Sequence, residues 1–339
     1  MKKKRALGAA LGITTLMAMP AQQAAFAQQA SETFTLMEAQ AYDKVANVQG
    51  EFNYNQNVLT PADDVFNLFG TAATGLCAAP GFAFDKVEQE DYYLNIRGTL
   101  KKTATVYVKE LMEDTKEEKS KVLACSCGMS AAIANAEVKG VLLEDVLPLE
   151  DILPGTNTIT VKDKSGYGLA LPLNYVLDKQ AMLVWNVGGE ELTSQTGGPV
   201  QLWVPDTIAK YFTRQVVDIE LSQEEAEPAV QTADAEHRAK VNILNQVDER
   251  AVFSVGDKLV FEGYADDAGQ PIAAVEFSLD GGETWTAYET KDTTSEKWVY
   301  WYFGYTCEAE GSYKLDVRAR TEDGLVSPLA ASVVFKVSK

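Results

Sequence analysis

The stretch KVLACSCGMSA, residues 121–131, carries two of the chain's four cysteines, Cys125 and Cys127, with one serine between them. Thiolates are soft nucleophiles and soft metal ligands. A Cys-x-Cys pair therefore admits four readings: a metal ligand, a redox couple, half of a disulfide, or two small buried side chains. Other chemistries lack their parts. Zinc wants a second Cys or His pair at ligand spacing, and none follows. A serine or cysteine hydrolase wants a base, and the sole histidine, His237, stands in a polar linker. Glu117-Glu118 and Glu190-Glu191 carry no signal of their own among 49 acidic residues. Cys77 and Cys307 read as buried thiols or disulfide halves.

The compartment bears on the cysteines. Lys2, Lys3, Lys4 and Arg5 precede an apolar run from Ala6 to Met19, and Ala25-Phe26-Ala27 supplies an A-x-A cleavage pattern. This predicts a secretory signal over 1–27 and a protein exported to the periplasm or the extracellular space. The run is shorter than the ~20 apolar residues of a membrane span. Removing the four positive charges of 1–27 takes the net charge from −19 to −23. A chain so acidic repels nucleic acid and anionic membranes. With 46% hydrophobic residues it is still built to bury a core. The mature length exceeds one ordinary core, so two domains are expected.

The elements that must position the cysteines follow from the pattern. Residues 28–60 are polar and read as a leader lying along the first domain. Over 61–221, YYLNIR (92–97), ATVYV (104–108), 122–125, 158–161 and 181–185 read as short strands, and 141–147 as a short amphipathic helix. Short strands broken by Gly and Pro predict an α+β domain. Residues 222–242 are polar and proline-bearing, as a linker is. Beyond it, 258–265, 274–279, 298–303, 312–319 and 331–337 alternate at period two, separated by Asp280-Gly281-Gly282 and Asp323-Gly324. That spacing predicts an immunoglobulin-like β-sandwich over 243–339. Trp285, just past the Asp-Gly-Gly hairpin, is expected to be largely buried.

The sandwich also carries a resemblance. AVEFSLDGGETW (274–285), Trp298-x-x-Trp301 and GSYKLDVRARTEDG (311–324) resemble the dimerisation domain of sulfite oxidase-type molybdopterin oxidoreductases. In the first domain TPADDVFNLF (60–69), YYLNIRG (92–98), VLAC (122–125), KGVLLEDVL (139–147) and NVGGEELTSQTGGPVQLWVP (186–205) are similar to segments of the same family. The resemblance implies a molybdopterin with molybdenum, a small-molecule substrate and, with no C-x-x-C-H haem motif, a separate electron-transfer protein. A homodimer through the sandwich is also implied. By position Cys125 matches the family's metal-binding thiolate, expected to point into the pocket while Cys127 points elsewhere. Lys210, Arg214 and Lys139 match or lie near its basic donors, with Arg97 a further candidate. Gly197 and Gly198 belong to the turn that closes the pterin pocket.

The chain departs from the family at several positions. Gln201 stands where arginine is usual, Gly128-Met129-Ser130 replaces an Asn-Arg element, and the first domain has no histidine. The leader has one arginine where cofactor-loaded exported enzymes carry two. These departures define an alternative: an exported binding or scaffold protein that kept the fold and lost the molybdenum site. Substrate, electron partner, disulfide pairing and oligomeric state are not readable from the residues.

Overall fold

Alternation of apolar and polar side chains is the organising signal of this fold. In Tyr93–Gly98 only Leu94 and Ile96 are buried, and their neighbours face water, as a half-buried strand requires. The computed structural model describes residues 41–62, 65, 91–114, 118–126, 133–245, 247 and 251–339. Among these, nineteen strands, β1–β19 in chain order, form four sheets. Three short helices, α1 (Val108–Glu113), α2 (Leu143–Val146) and α3 (Leu173–Asp178), accompany them.

Two five-stranded sheets share the first hydrophobic core. One runs β10 (Gln201–Trp203), β8 (Met182–Val187), β5 (Ile133–Leu142), β4 (Lys119–Ser126), with β9 (Glu190–Glu191) paired to β8. The other runs β3 (Ala104–Tyr107), β2 (Tyr93–Gly98), β11 (Val216–Ser222), β6 (Thr158–Asp163), β7 (Ala170–Pro172). In the second sheet only the β2–β11 pair is parallel. Leu94, Ile96 and Ile219 from one sheet meet Ala134, Ala136 and Val184 from the other in that core. The predicted helix over 141–147 is shorter than expected. Val141 and Leu142 belong to β5, where they pair with Leu183 and Met182, and only Leu143–Val146 turns helical.

The second core lies between two further sheets. One orders β1 (Glu51–Asn55), β17 (Val299–Thr306), β14 (Lys258–Asp266), β12 (Lys240–Val241). Its facing sheet orders β13 (Val252–Ser254), β19 (Ala331–Ser338), β18 (Gly311–Thr321), β15 (Ile272–Ser278), β16 (Thr286–Glu289). Phe277 and Phe303 stack at 4.0 Å between their centroids, and Trp301 meets Phe277 edge-on at 5.5 Å. Such packing explains why Trp301, Phe303 and Phe277 are fully buried. Residues 43–339 form one compact unit that contains both cores.

Two expectations need correction. The leader does not simply lie along the first domain: its residues 51–55 form β1, the edge strand of the sandwich, antiparallel to β17. Phe52 drives this, stacking on Tyr288 at 5.1 Å and meeting Phe277 edge-on at 6.0 Å. Trp285 is half-buried rather than enclosed. Its indole N–H donates to the Gly282 carbonyl (3.0 Å) and the Arg318 guanidinium lies 4.0 Å from its ring centroid, so it caps the hairpin from outside the core.

Beyond β1 the chain crosses from one core to the other. Gln56 is held at the sandwich side, its side-chain amide donating to the Thr294 and Lys297 carbonyls and accepting from the Thr294 N–H. Thr60 is held at β5, where its N–H donates to the Asn135 carbonyl (2.8 Å) and its hydroxyl accepts from the Asn135 N–H (3.0 Å). The Asn135 side-chain amide adds bonds to the Gln56 and Val58 carbonyls at 3.0 and 3.3 Å. Residues 56–60 thus form a strap held to the sandwich by the Gln56 side chain and to β5 by backbone groups bonded to Asn135.

Candidate functional site

Strand β4 delivers the candidate thiolate. It runs antiparallel to β5 with Cys125 opposite Ala134, and it ends one residue later at Ser126. For Cys125 and Cys127 to point apart, the chain is expected to turn at Ser126–Gly128; of these only Ser126, still in β4, is described, while Cys127, Cys77 and the Cys125 side chain lie outside the described residues. Cys307 is a buried free thiol in the sandwich, pushed up in pKa by its burial and then by Asp257.

The same register separates Lys139 from Cys125. Lys139 lies opposite Ser120, five residues along β5 from Ala134, or about 17 Å at ~3.4 Å per residue. It is half-buried, and its ammonium makes no hydrogen bond among the described residues. Arg97 is committed elsewhere. Its guanidinium forks onto Asp218 at 2.7–3.0 Å and also reaches Glu220 at 3.0 Å on the neighbouring strand β11. Those bonds raise its pKa and make it part of an exposed ion-pair network.

The glycine-rich turn lies at the opposite edge of the same sheet, three strands from β4, about 14 Å across at ~4.8 Å per strand. Thr193 and Thr196 form a reciprocal capping box around the turn Ser194–Thr196, and Gly197 closes it with φ 85°. A side chain at Gly197 is excluded twice. The left-handed φ disfavours it, and a Cβ would sit 2.8 Å from Arg214 Cδ. Arg214, Gly197 and Gly198 are therefore brought together, with the Gln215 N–H bonded to the Gly197 carbonyl and the Gly198 N–H to the Thr193 carbonyl. Lys210, on the turn Ala209–Tyr211, donates to the Gln231 side chain and lies 5.7 Å from the Tyr211 centroid. Gln201 is buried with both ends of its amide used. It donates to the Thr196 carbonyl (2.7 Å) and accepts from the Trp203 indole N–H (3.0 Å).

Asn135 was not singled out from the sequence. Its signal is a lone amide in the apolar run IANAEV, and it is fully buried with Oδ1 lacking a partner among the described residues. No group of three His, Cys, Asp or Glu side chains able to hold a metal occurs among the described residues. No helix among them is long and apolar enough to cross a membrane.

A domain of two sheets sharing one core, with a strand-end cysteine and a glycine-rich turn, followed by a β-sandwich, defines the class: a molybdopterin-binding α+β domain joined to an immunoglobulin-like sandwich. Residues 82–230 match the oxidoreductase molybdopterin binding domain family. That match, with the relatives and the solved structure below, supports a divergent sulfite oxidase-type molybdopterin oxidoreductase. It is 22% identical over 302 residues to a sulfite oxidase of Arabidopsis thaliana, covering 70% of this chain and 77% of that one. It is 28% identical over 159 residues to an NADPH nitrate reductase of Mycosarcoma maydis, spanning 36% of this chain but only 16% of that relative. The crystal structure of the sulfane dehydrogenase SoxCD from Paracoccus pantotrophus shares the fold, with a TM-score of 0.60 at 18% identity over 95% of this chain and 86% of that one.

Tested against a molybdopterin, the described residues supply the thiolate strand and the glycine-rich turn. Its phosphate needs charge-assisted donors converging in a partly desolvated pocket, and of the charged candidates only Arg214 is brought against the glycine-rich turn. Gln201 is neutral and consumed by protein partners, Arg97 is neutralised by two carboxylates, and Lys139 stands about 17 Å along the ladder from Cys125.

Proposed function

We propose that this chain is an exported oxidoreductase that binds molybdopterin with molybdenum in its first domain, about 61–221, and acts on a small molecule. Cys125 supplies the metal-binding thiolate, and a separate protein receives the electrons. The observation that carries the reading is a cysteine one residue from the end of β4, in a chain of this family. A soft thiolate suits molybdenum. Gly197, Gly198 and Arg214 would form the pterin-facing turn, with Lys210 and Lys139 as the remaining candidate donors. The basic n-region, the apolar run to Met19 and Ala25-Phe26-Ala27 support export.

A second reading, the cofactor-free binding protein, is favoured by one specific observation: the Gln201 amide and the Lys210 ammonium are each satisfied by protein groups. Elemental analysis of protein purified from its own host separates the two. The enzyme reading expects about one molybdenum per chain, lost in Cys125→Ser with the melting temperature retained. Metal-free wild type with Cys125 or Cys127 in a disulfide to Cys77 overturns it and leaves the scaffold.

A further inference from the structure

We propose that the outer face of the β1–β17 pair is a binding site for a neutral carbohydrate, independent of Cys125 and of any cofactor. A cavity of about 290 Å³ opens there, lined by Glu51, Asn53, Tyr54, Asn55, Tyr300 and Tyr302. The register sets Asn53 opposite Tyr302, Asn55 opposite Tyr300 and Glu51 opposite Gly304. Residues directly opposite share a face, so amides line one wall and phenol rings the other. Gly304 leaves room for the Lys258 side chain beside Glu51: a Cβ there would stand 2.6 Å from Lys258 Cε and 3.2 Å from the Tyr302 hydroxyl.

The charges around the cavity are already matched. Lys258 pairs with Glu51 and lies 6.0 Å from the Tyr302 ring centroid, and the Tyr300 hydroxyl donates to Glu262. Burial, followed by the Glu262 bond, pushes the Tyr300 phenol up to about 12, so that ring stays neutral. What remains unmatched is specific. Asn53 Oδ1 accepts from the Tyr54 N–H and Asn55 Oδ1 from the Asn57 N–H, both at 2.8 Å. These bonds fix the two amides, and their Nδ2 groups have no partner among the described residues. Two residues apart on one strand face, they are spaced about 7 Å.

A ligand for this face must offer acceptor oxygens to two spaced N–H donors and a C–H surface to tyrosine rings. Sugars do both. An anion is opposed by the net charge of −19 and finds the Lys258 ammonium already held by Glu51. A cation finds the Tyr302 ring and Glu51 already taken by Lys258. The volume lies at the lower end of the ~300–1,000 Å³ range of small-molecule clefts, which suits one or two sugar rings with the rest of a chain in solvent.

The test uses the full chain with cellohexaose, xylohexaose, mannohexaose and maltohexaose at about 10 mM, read by saturation-transfer NMR and calorimetry. At least one is expected to bind with Kd of ~1 mM or tighter. Tyr302→Ala, and separately the double variant Asn53→Ala/Asn55→Ala, should weaken it at least ~threefold. Tyr93→Ala, exposed on β2 of the other core, should bind as wild type does. The asparagine pair is exposed, so the double variant tests the site even if Tyr302→Ala unfolds. Binding by none of the four sugars overturns the proposal. So does binding that survives both cavity variants, or preference for tetramethylammonium over every sugar.

Discussion

Asn135→Ala probes the strap that joins the two cores. The variant removes the Nδ2 bonds to the Gln56 and Val58 carbonyls, each worth about 0.5–1.5 kcal/mol net. It also removes a buried Oδ1 that has no partner among the described residues, whose desolvation costs on the order of 1 kcal/mol. The two backbone-level bonds between Thr60 and residue 135 survive, because alanine keeps the N–H and the carbonyl. The sum is a loss of about 1 kcal/mol, confined to residues 56–60. Spread over a chain this long, that shifts the melting temperature by only a few degrees. Local opening is the sharper readout, since ~1.4 kcal/mol is tenfold in an equilibrium constant. Hydrogen exchange of a peptide covering 51–62 should quicken about fivefold, while peptides in β15 and β18 exchange as in wild type. Unchanged exchange in 51–62 would show that β1 and Thr60 hold the strap without the asparagine, and would refute the reasoning.

Two further outcomes follow from the hairpin that ends in Trp285. Burial opposes ionisation of Asp280, but donors from Thr284, Ser278 and the Glu283 backbone outweigh it and hold the carboxyl at about 2. Because this lies below the ordinary 3.8, the stabilisation is present above pH ~4 and is lost as pH falls towards ~2. Acid melting curves of wild type and Asp280→Asn should therefore converge near pH 2, and a gap that stays constant from pH 6 to pH 2 would contradict this. Trp285→Ala should cost about 1–2 kcal/mol, below the ~3–5 of an enclosed tryptophan, because the ring is half-buried and gives up one hydrogen bond and one guanidinium contact. A loss above ~3 kcal/mol in urea titration would mean that the ring supports the core directly.

The residues themselves determined much of the strand pattern, because a period-two alternation has one physical solution once a face is buried. LVFEGYA, AVEFSL and YKLDVRA name their inward residues in order, and β14, β15 and β18 form there. The thiolate candidate, Cys125, came from a different source: its place after VLA in a segment that resembles the family, and β4 forms there. Gly197 could be read as a turn residue, since only glycine takes its φ without strain. What sequence alone left open is who meets whom at long range. EFNYN alternates Phe52 and Tyr54 with polar residues, yet nothing local says that its partner is β17, some 250 residues away. That pairing is decided by an aromatic pocket assembled from Phe277, Tyr288 and Phe303, which exists only after the sandwich folds. The charges behaved likewise. Arg97 and Lys210 looked free as letters, and the fold gave them Asp218, Glu220 and Gln231 as partners. A side chain's type is local, but its availability depends on the neighbours that tertiary packing brings within a few ångströms.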